Sequence, residues 1–350
     1  MLVWFDALTA KQARIASVLA LEGEGRGYRF IVTCRKYDYV INVLKMYGVN
    51  GYCEGEHGED VRSKLVNGLS RSLKLINVVD DFNVHISLTS PDAFRVAFGL
   101  GKPSIALTDT AHAFHVNKLT LPLADRVIAP IAIPKRKLMA YIPHGEEGKV
   151  KFFNGVFEVM WVYRFKPNWS EVEQLGLRNG DKYVVFRFEE SKAAYYKYSE
   201  QSRIAVKAIR FLLKQGFKVI VFPRYDDQRE LVASRFNREL SNGNVIIPSK
   251  PVDGLQLAYF SSLVITGGST FAVEAALLGV PSISYFPSIY YTDKYVIKAG
   301  APLIRVKPSR LISSIRKAME IGKVGLIKDL EDPTGLILNE ADVLANEHRG

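Results

Sequence analysis

Short runs of apolar, β-branched residues alternate along this chain with longer stretches whose apolar positions recur at helical spacing. The first run is LVWF at Leu2 to Phe5. The segment AKQARIASVLALEGEGRGYRF then reads as a helix leading into a second strand, RFIVTC at Arg29 to Cys34. A helix in YDYVINVLKMYG, a basic helix in SKLVNGLSRSLKLINVV, the strand VHISLT, the helix PDAFRVAFGLG and the strand SIALTD follow in order. Alternation of this kind predicts a parallel sheet with helices on both faces.

The pattern breaks over 131–167, where prolines and glycines are scattered among aromatic residues. We read that stretch as interdomain. A second alternating series begins at KYVVFRF, passes through a helix over 203–215 and the strands KVIVFPR, NVIIP and LVIT, and ends in further helices. The halves repeat an architecture without repeating residues. The expected organisation is α/β: two Rossmann-like, doubly wound parallel-sheet domains, 1–165 and 166–350, facing a central cleft, the last helix being free to cross back to the first domain.

Composition narrows the class. Three hundred and fifty residues at roughly 150 per domain agree with two domains. A chain with 24% charged and 48% hydrophobic residues is neither disordered nor a coiled coil. No apolar stretch reaches membrane-spanning length, and Asp6 interrupts the N-terminal apolar run, so a cytoplasmic protein is expected. The net charge of +11 favours anionic partners. Nothing singles out nucleic acid. The two cysteines, Cys34 and Cys53, lack the spacing of a disulfide framework or a zinc site, and neither is expected.

The most informative segment is SLVITGGSTFAVEAALLGVPSISYFP. An apolar strand runs into Gly267 and Gly268, then Ser269 and Thr270, then a helix of small and aliphatic residues. In open α/β sheets ligands sit at the carboxyl ends of strands, and a glycine turn lets a phosphate approach the positive end of the next helix. Ser269 and Thr270 are placed to cap that helix or to donate to phosphate oxygens, and Glu274 to accept from the two hydroxyls of a ribose. The same residues also suit a plain turn and cap.

GGSTFAVEAALLGVP resembles the nucleotide-binding signature of sugar-nucleotide enzymes with the GT-B fold, among them the bacterial glycosyltransferase that makes lipid II and the non-hydrolysing UDP-N-acetylglucosamine 2-epimerases. The resemblance implies that Gly267, Gly268, Ser269, Thr270 and Glu274 hold the diphosphate and ribose of a UDP-sugar. Over nearly its whole length the chain is similar to an archaeal family of uncharacterised proteins grouped with those enzymes. The stretches that carry this are HISLTSPDAFRVAFGLGKPSI, TDTAHAFHVNKLTLPLADRVIAP, FFNGVFEV, VVFRFEESKAAYY and the Gly-Gly-Ser-Thr helix.

Other candidates stand at strand ends. Arg187, Ser191 and Lys192 in RFEESKAAYY, and Arg224 after KVIVFP, would face an incoming diphosphate, or would be ordinary solvent-facing charge. Asp109 and His112 in TDTAHAFH are the candidate base and acid. The chain departs from its relatives in having Ala111 where an acidic residue is common, Val273 before the helix glutamate, and Gln12 beside Lys11 where a histidine is usual.

The leading expectation is a metal-independent glycosyltransferase with a UDP-sugar donor, no cofactor, and a lipid-linked or glycan acceptor. Charge growing on the leaving diphosphate would be met by the helix N-terminus with Arg187, Lys192 and Arg224. A UDP-N-acetylglucosamine 2-epimerase, with Asp6, Asp92, Asp109 and His112 as its acid–base groups, is the alternative, and a nucleotide-sugar-binding protein without turnover is the third. The helix RSKLVNGLSRSLKLI, with Arg62, Lys64, Arg71 and Lys74 around Leu65, Leu69, Leu73 and Ile76, is either a core-facing surface helix or a peripheral contact with the inner face of the cell membrane.

Overall fold

The apolar run Leu2–Ala7 becomes β1, a strand buried on both faces near the middle of a seven-stranded sheet. The computed structural model describes residues 1–348 other than 38, 80, 190–197, 287 and 289, and for 198–202 the backbone alone. Two compact units emerge, Met1–Trp161 with Glu331–Gly350, and Val162–Leu330.

The first unit holds β1, β2 (Arg29–Cys34), β3 (Tyr52–Cys53), β4 (Val84–Ser87), β5 (Ser104–Leu107), β6 (Arg126–Pro130) and β7 (Val150–Phe153) in the order β3-β2-β1-β4-β5-β6-β7. Every pairing is parallel. Helices must therefore carry each crossover, and strands covered on both faces need apolar runs, as β6 has over 127–130 and β1 has but for Asp6. Trp4 anchors one side of the core, edge-on to Phe82 with ring centroids 5.0 Å apart, and its indole N–H donates to Thr33 Oγ1 at 2.8 Å.

The stretch read as interdomain contributes β7 to this sheet. The chain comes back to the unit at Glu331, where a Cβ on Gly155 would stand 2.2 Å from the Glu331 carbonyl oxygen. The last helix, Thr334–Glu347, packs on the helix Ala10–Glu24, and Arg126 Nε donates to Glu340 at 3.0 Å.

One expectation is overturned here. Cys34 and Cys53 form a disulfide. They are register partners at the ends of the neighbouring strands β2 and β3, with Cα atoms 4.2 Å apart. Sequence spacing does not reveal that two residues face each other across a parallel pair.

The second unit is a six-stranded parallel sheet, β10-β9-β8-β11-β12-β13. Its strands are β8 (Tyr183–Arg187), β9 (Lys218–Phe222), β10 (Val245–Ile246), β11 (Leu263–Thr266), β12 (Ser282–Ser284) and β13 (Leu303–Arg305). Its core packs Val184, Phe186, Val219 and Val221 against Ala208, Ile209 and Leu212 of the helix Tyr198–Lys214. The expected α/β class, with two parallel sheets, is what the chain forms.

Candidate functional site

The candidate nucleotide site lies at the carboxyl edge of the second sheet. Arg187 ends β8 and is the register partner of Thr266, which ends β11. The chain then turns through Gly267, Gly268 and Ser269 into the helix Thr270–Leu277. Gly267 is required by packing, because a Cβ there would lie 2.4 Å from the Cα of Glu189. Its N–H continues the sheet ladder to the Arg187 carbonyl at 3.1 Å.

Several bonds clamp this turn. Thr266 Oγ1 accepts from the Gly268 N–H at 3.0 Å, and Ser284 Oγ donates to the Gly268 carbonyl at 2.7 Å. Ser269 does not cap the helix as expected. Its backbone is helical rather than extended, and its hydroxyl donates instead to buried Asp293 at 2.5 Å. Arg305, at the end of β13, places Nε 3.3 Å from Asp293 Oδ2 and donates to Ser284 Oγ and the Phe286 carbonyl. Asp293 and Arg305 thus fix the turn from behind, and neither was singled out from sequence.

Thr270 opens the helix and Glu274, 6% exposed, lies one turn along on the same face. The first amides of a helix have no intrahelical partner, so this end suits an anion. Arg224 follows β9 on a short loop, where its backbone N–H donates to Gln228 Oε1 at 2.7 Å. Arg224, Tyr225, Asp226 and Asp227 line an open depression. Ser191 and Lys192 lie outside the described residues. Glu189, between Arg187 and those positions, is buried and accepts from Tyr285 Oη at 2.7 Å. Burial pushes its carboxyl above the ordinary glutamate range, against the hydrogen bond from Tyr285.

The second cluster lies in the first unit and centres on Lys11, in the first turn of the helix that follows β1. Its ammonium Nζ is 2.5 Å from Asp109 Oδ2 and 2.6 Å from Glu158 Oε1. Thr110 Oγ1 donates to the other Asp109 oxygen at 2.8 Å. The Lys11 and Asp109 side chains keep 14% and 12% of their surface exposed, against 4% for Glu158, so Lys11 and Asp109 are the accessible members. Glu158 Oε2 is buried without a hydrogen-bond partner among the described residues.

These environments separate the two carboxyls. Burial pushes both up, but at Asp109 the Lys11 charge and the bonds from Lys11 and Thr110 outweigh it and hold the group below the usual range. At Glu158 burial prevails over Lys11, with the Asp109 charge adding to it, and the group titrates above the usual range. Acid and base pairs in enzymes are set apart in this way, as are the carboxyls of buried ion-pair networks.

His112 is exposed, and the partner of Asp109 is Lys11 rather than His112. Asp6 proves to be structural. It is fully buried, gripped by both terminal nitrogens of Arg71 at 2.5 and 3.0 Å, and also accepts from Ser90 and Thr33 at 2.6 Å each. Burial raises its carboxyl, but Arg71 with these hydroxyls overcomes that and keeps it low. Asp6 has no lone pair to spare for proton transfer. Lys11 and Glu158 escaped the sequence reading. The signal for Glu158 was a single charge in the apolar run VFEVMWV.

Among the described residues no group of three or more His, Cys, Asp or Glu side chains is placed to hold a metal ion, and no helix is long and apolar enough to cross a membrane. The family model described as Protein of unknown function (DUF354) matches residues 1–345. The uncharacterized protein MJ0665 of Methanocaldococcus jannaschii is 30% identical over 344 residues, 96% of each chain. Among solved structures, the UDP-GlcNAc 2-epimerase of M. jannaschii in complex with UDP-GlcNAc and UDP superposes with a TM-score of 0.73 at 16% identity, covering 98% of this chain and 99% of that one. The Neisseria meningitidis UDP-GlcNAc 2-epimerase bound to UDP-GlcNAc gives 0.71 at 16%, covering 98% and 100%. Anabaena Alr3699/HepE in complex with UDP gives 0.54 at 13%, covering 100% and 98%. The GT-B-like fold is thereby shown.

Proposed function

The chain belongs to the DUF354 family, and from that premise and the geometry above we propose that it is a sugar-nucleotide enzyme, with 2-epimerisation of a UDP-sugar its reaction in preference to glycosyl transfer. The observation that carries this choice is the Lys11 cluster. A transferase asks for one base, to deprotonate an acceptor hydroxyl. Inversion at a sugar carbon asks for a group that takes a proton and a group that returns one, and two carboxyls, Asp109 and Glu158, flank one ammonium here, the first pushed below and the second above the ordinary carboxylate range. Solved structures of like fold that bind UDP-GlcNAc and UDP support the same ligand class here.

In this reading the ribose is taken by Glu274 and the diphosphate by the turn Gly267–Thr270 with Arg187 and Arg224. Ser191 and Lys192 belong to the same proposed set. Asp109 removes the proton from C2, the electron pair of that bond forms a C1–C2 double bond, and the C1–O bond breaks toward UDP. Addition of UDP back to C1, with a proton delivered to the other face of C2 by Glu158, inverts the centre, and exchange with solvent then returns both carboxyls to their starting states. Charge gathers on the diphosphate as it leaves, and a helix N-terminus with arginines stabilises it in place. No oxidant is consumed, and none of these steps calls for a cofactor.

The test is incubation with UDP-GlcNAc in deuterium oxide without any acceptor. Deuterium at C2 with formation of the 2-epimer is expected, together with its loss in Asp109→Asn. Binding of UDP-GlcNAc with no C2 exchange, and sugar released or transferred instead, would return the assignment to glycosyltransferase. That reaction would use the same donor residues.

A further inference from the structure

The helix Val61–Ile76 turns its apolar stripe to solvent. Leu65, Leu69 and Leu73 recur at one-turn spacing and are 63%, 59% and 68% exposed, and Val61, Val66 and Ile76 are exposed beside them. Surface helices are ordinarily held by burying such a stripe. This one is held by its other side. Arg71 and Leu75 are buried, and the Arg71 guanidinium binds Asp6, reaches Asp92 at 3.3 Å and gives its Nε–H to the Glu54 carbonyl at 2.9 Å. Gly68 lets the neighbouring helix Pro91–Gly99 approach, since a Cβ there would sit 3.0 Å from Asp92 Oδ1. The inward-pointing arginine fixes the rotation of the helix, so its outward face is not free to roll under.

Charge identifies what that face fits. Val61–Ile76 contains no acidic residue; Arg62 and Lys64 are exposed on it and Lys74 pairs with Glu54, while the exposed acids Glu56, Glu59 and Asp60 all precede its first turn. The adjoining helix Pro91–Gly99 adds exposed Arg95 and Phe98. A second copy of this chain seated symmetrically on the stripe would set cationic helix against cationic helix, a like-charge arrangement. An anionic lipid surface offers both complements, acyl chains for the leucines and phosphates for the basic residues.

We propose that the helix Val61–Ile76 is a peripheral docking element that lies in the plane of an anionic bilayer, its leucines at the boundary between headgroups and acyl chains. The contact does not depend on the reaction assigned above. It holds the first unit at a lipid surface through a helix whose rotation is set by the Asp6–Arg71 pair.

Co-sedimentation of the full chain with vesicles of phosphatidylcholine alone, and of phosphatidylcholine with phosphatidylglycerol, tests it. Binding to the anionic vesicles and little to the neutral ones is expected, weakening as salt rises. The double variant Leu69→Ser with Leu73→Ser should lower the partition coefficient about tenfold or more, while UDP binding and the melting temperature stay as in the parent chain. Arg62→Glu, with the leucines intact, should weaken anionic binding and leave the neutral baseline unchanged. Absence of binding to anionic vesicles at low salt would overturn the proposal. So would sedimentation velocity showing a dimer that the leucine variant converts to monomer, which would assign the face to a second copy.

Discussion

Asp109 and Glu158 hold the same ammonium. Lys11 Nζ stands 2.5 Å from one carboxylate and 2.6 Å from the other, yet burial and charge leave Asp109 below and Glu158 above the ordinary range. If the base must be ionised and its partner protonated, C2 exchange has a bell-shaped pH profile. Its acid limb lies lower than a free aspartate would give, and its alkaline limb higher than a free glutamate would. Lys11→Met removes the charge that holds Asp109 down, so the acid limb moves up in pH and the maximal rate falls by about 10²–10⁴-fold. Exchange rates measured from pH 3 to 9 check this. An unmoved acid limb would take Lys11 out of the mechanism.

Glu274 is assigned to the ribose, so Glu274→Ala should weaken UDP binding by about 1–3 kcal/mol, roughly 5- to 150-fold. Asp109→Asn should leave UDP affinity unchanged, because UDP lacks the sugar ring on whose C2 Asp109 is assigned to act. Calorimetric titration of both variants separates the two roles. Equal losses in both would contradict the division of labour between the nucleotide turn and the Lys11 cluster.

The fold was legible because period and composition agree along the chain. Buried parallel strands need apolar runs, and β8 and β11 have them up to their last residue, as β1 does but for Asp6. The glycine turn was legible too, but not that Gly267 also makes room for the Glu189 backbone or that the Ser269 hydroxyl serves Asp293 rather than capping the helix. Lys11, Asp109 and Glu158 come from three separate connections, and only tertiary folding brings them together. Arg71 looked like surface charge because a helical wheel shows which residues share a face, not which face turns inward. The wheel grouped Leu65, Leu69 and Leu73 correctly, and the buried Asp6 decided that Arg71, not the leucines, would point at the core.

His85 makes stability depend on pH. It is fully buried between Trp4 and Phe94, with centroids 4.5 and 5.0 Å away, and burial lowers it from 6.5 to about 4, against the pull of nearby Asp6. The unfolded chain therefore binds a proton between those values that the folded chain refuses, and stability falls as pH drops through that window. Between pH 7 and pH 5 the loss from this group is about 2 kcal/mol. His85→Phe should remove that part of the slope, which urea unfolding at the two pH values measures. A variant as pH-sensitive as the parent would show that other groups carry the dependence.

The disulfide ties a two-residue edge strand to the body of the first sheet. β3 makes only the pairings Thr33–Tyr52 and Cys34–Cys53, so little else holds it. The residue after it, Glu54, takes its N–H to the Cys34 carbonyl at 2.7 Å, lends its own carbonyl to Arg71 and pairs through its carboxylate with Lys36 and Lys74. Freeing β3 therefore loosens one anchor of the helix Val61–Ile76 as well. Closing a loop between cysteines 19 residues apart is worth about 3 kcal/mol in the chain-entropy view. Replacing both with serine should lower the unfolding free energy of the first unit by about that amount and speed amide exchange at Glu54 and across 61–76. Reductant should act on the parent chain in the same direction and leave the serine variant untouched. Two free thiols by titration in the untreated protein, with stability indifferent to reductant, would show that the cross-link does not form in solution.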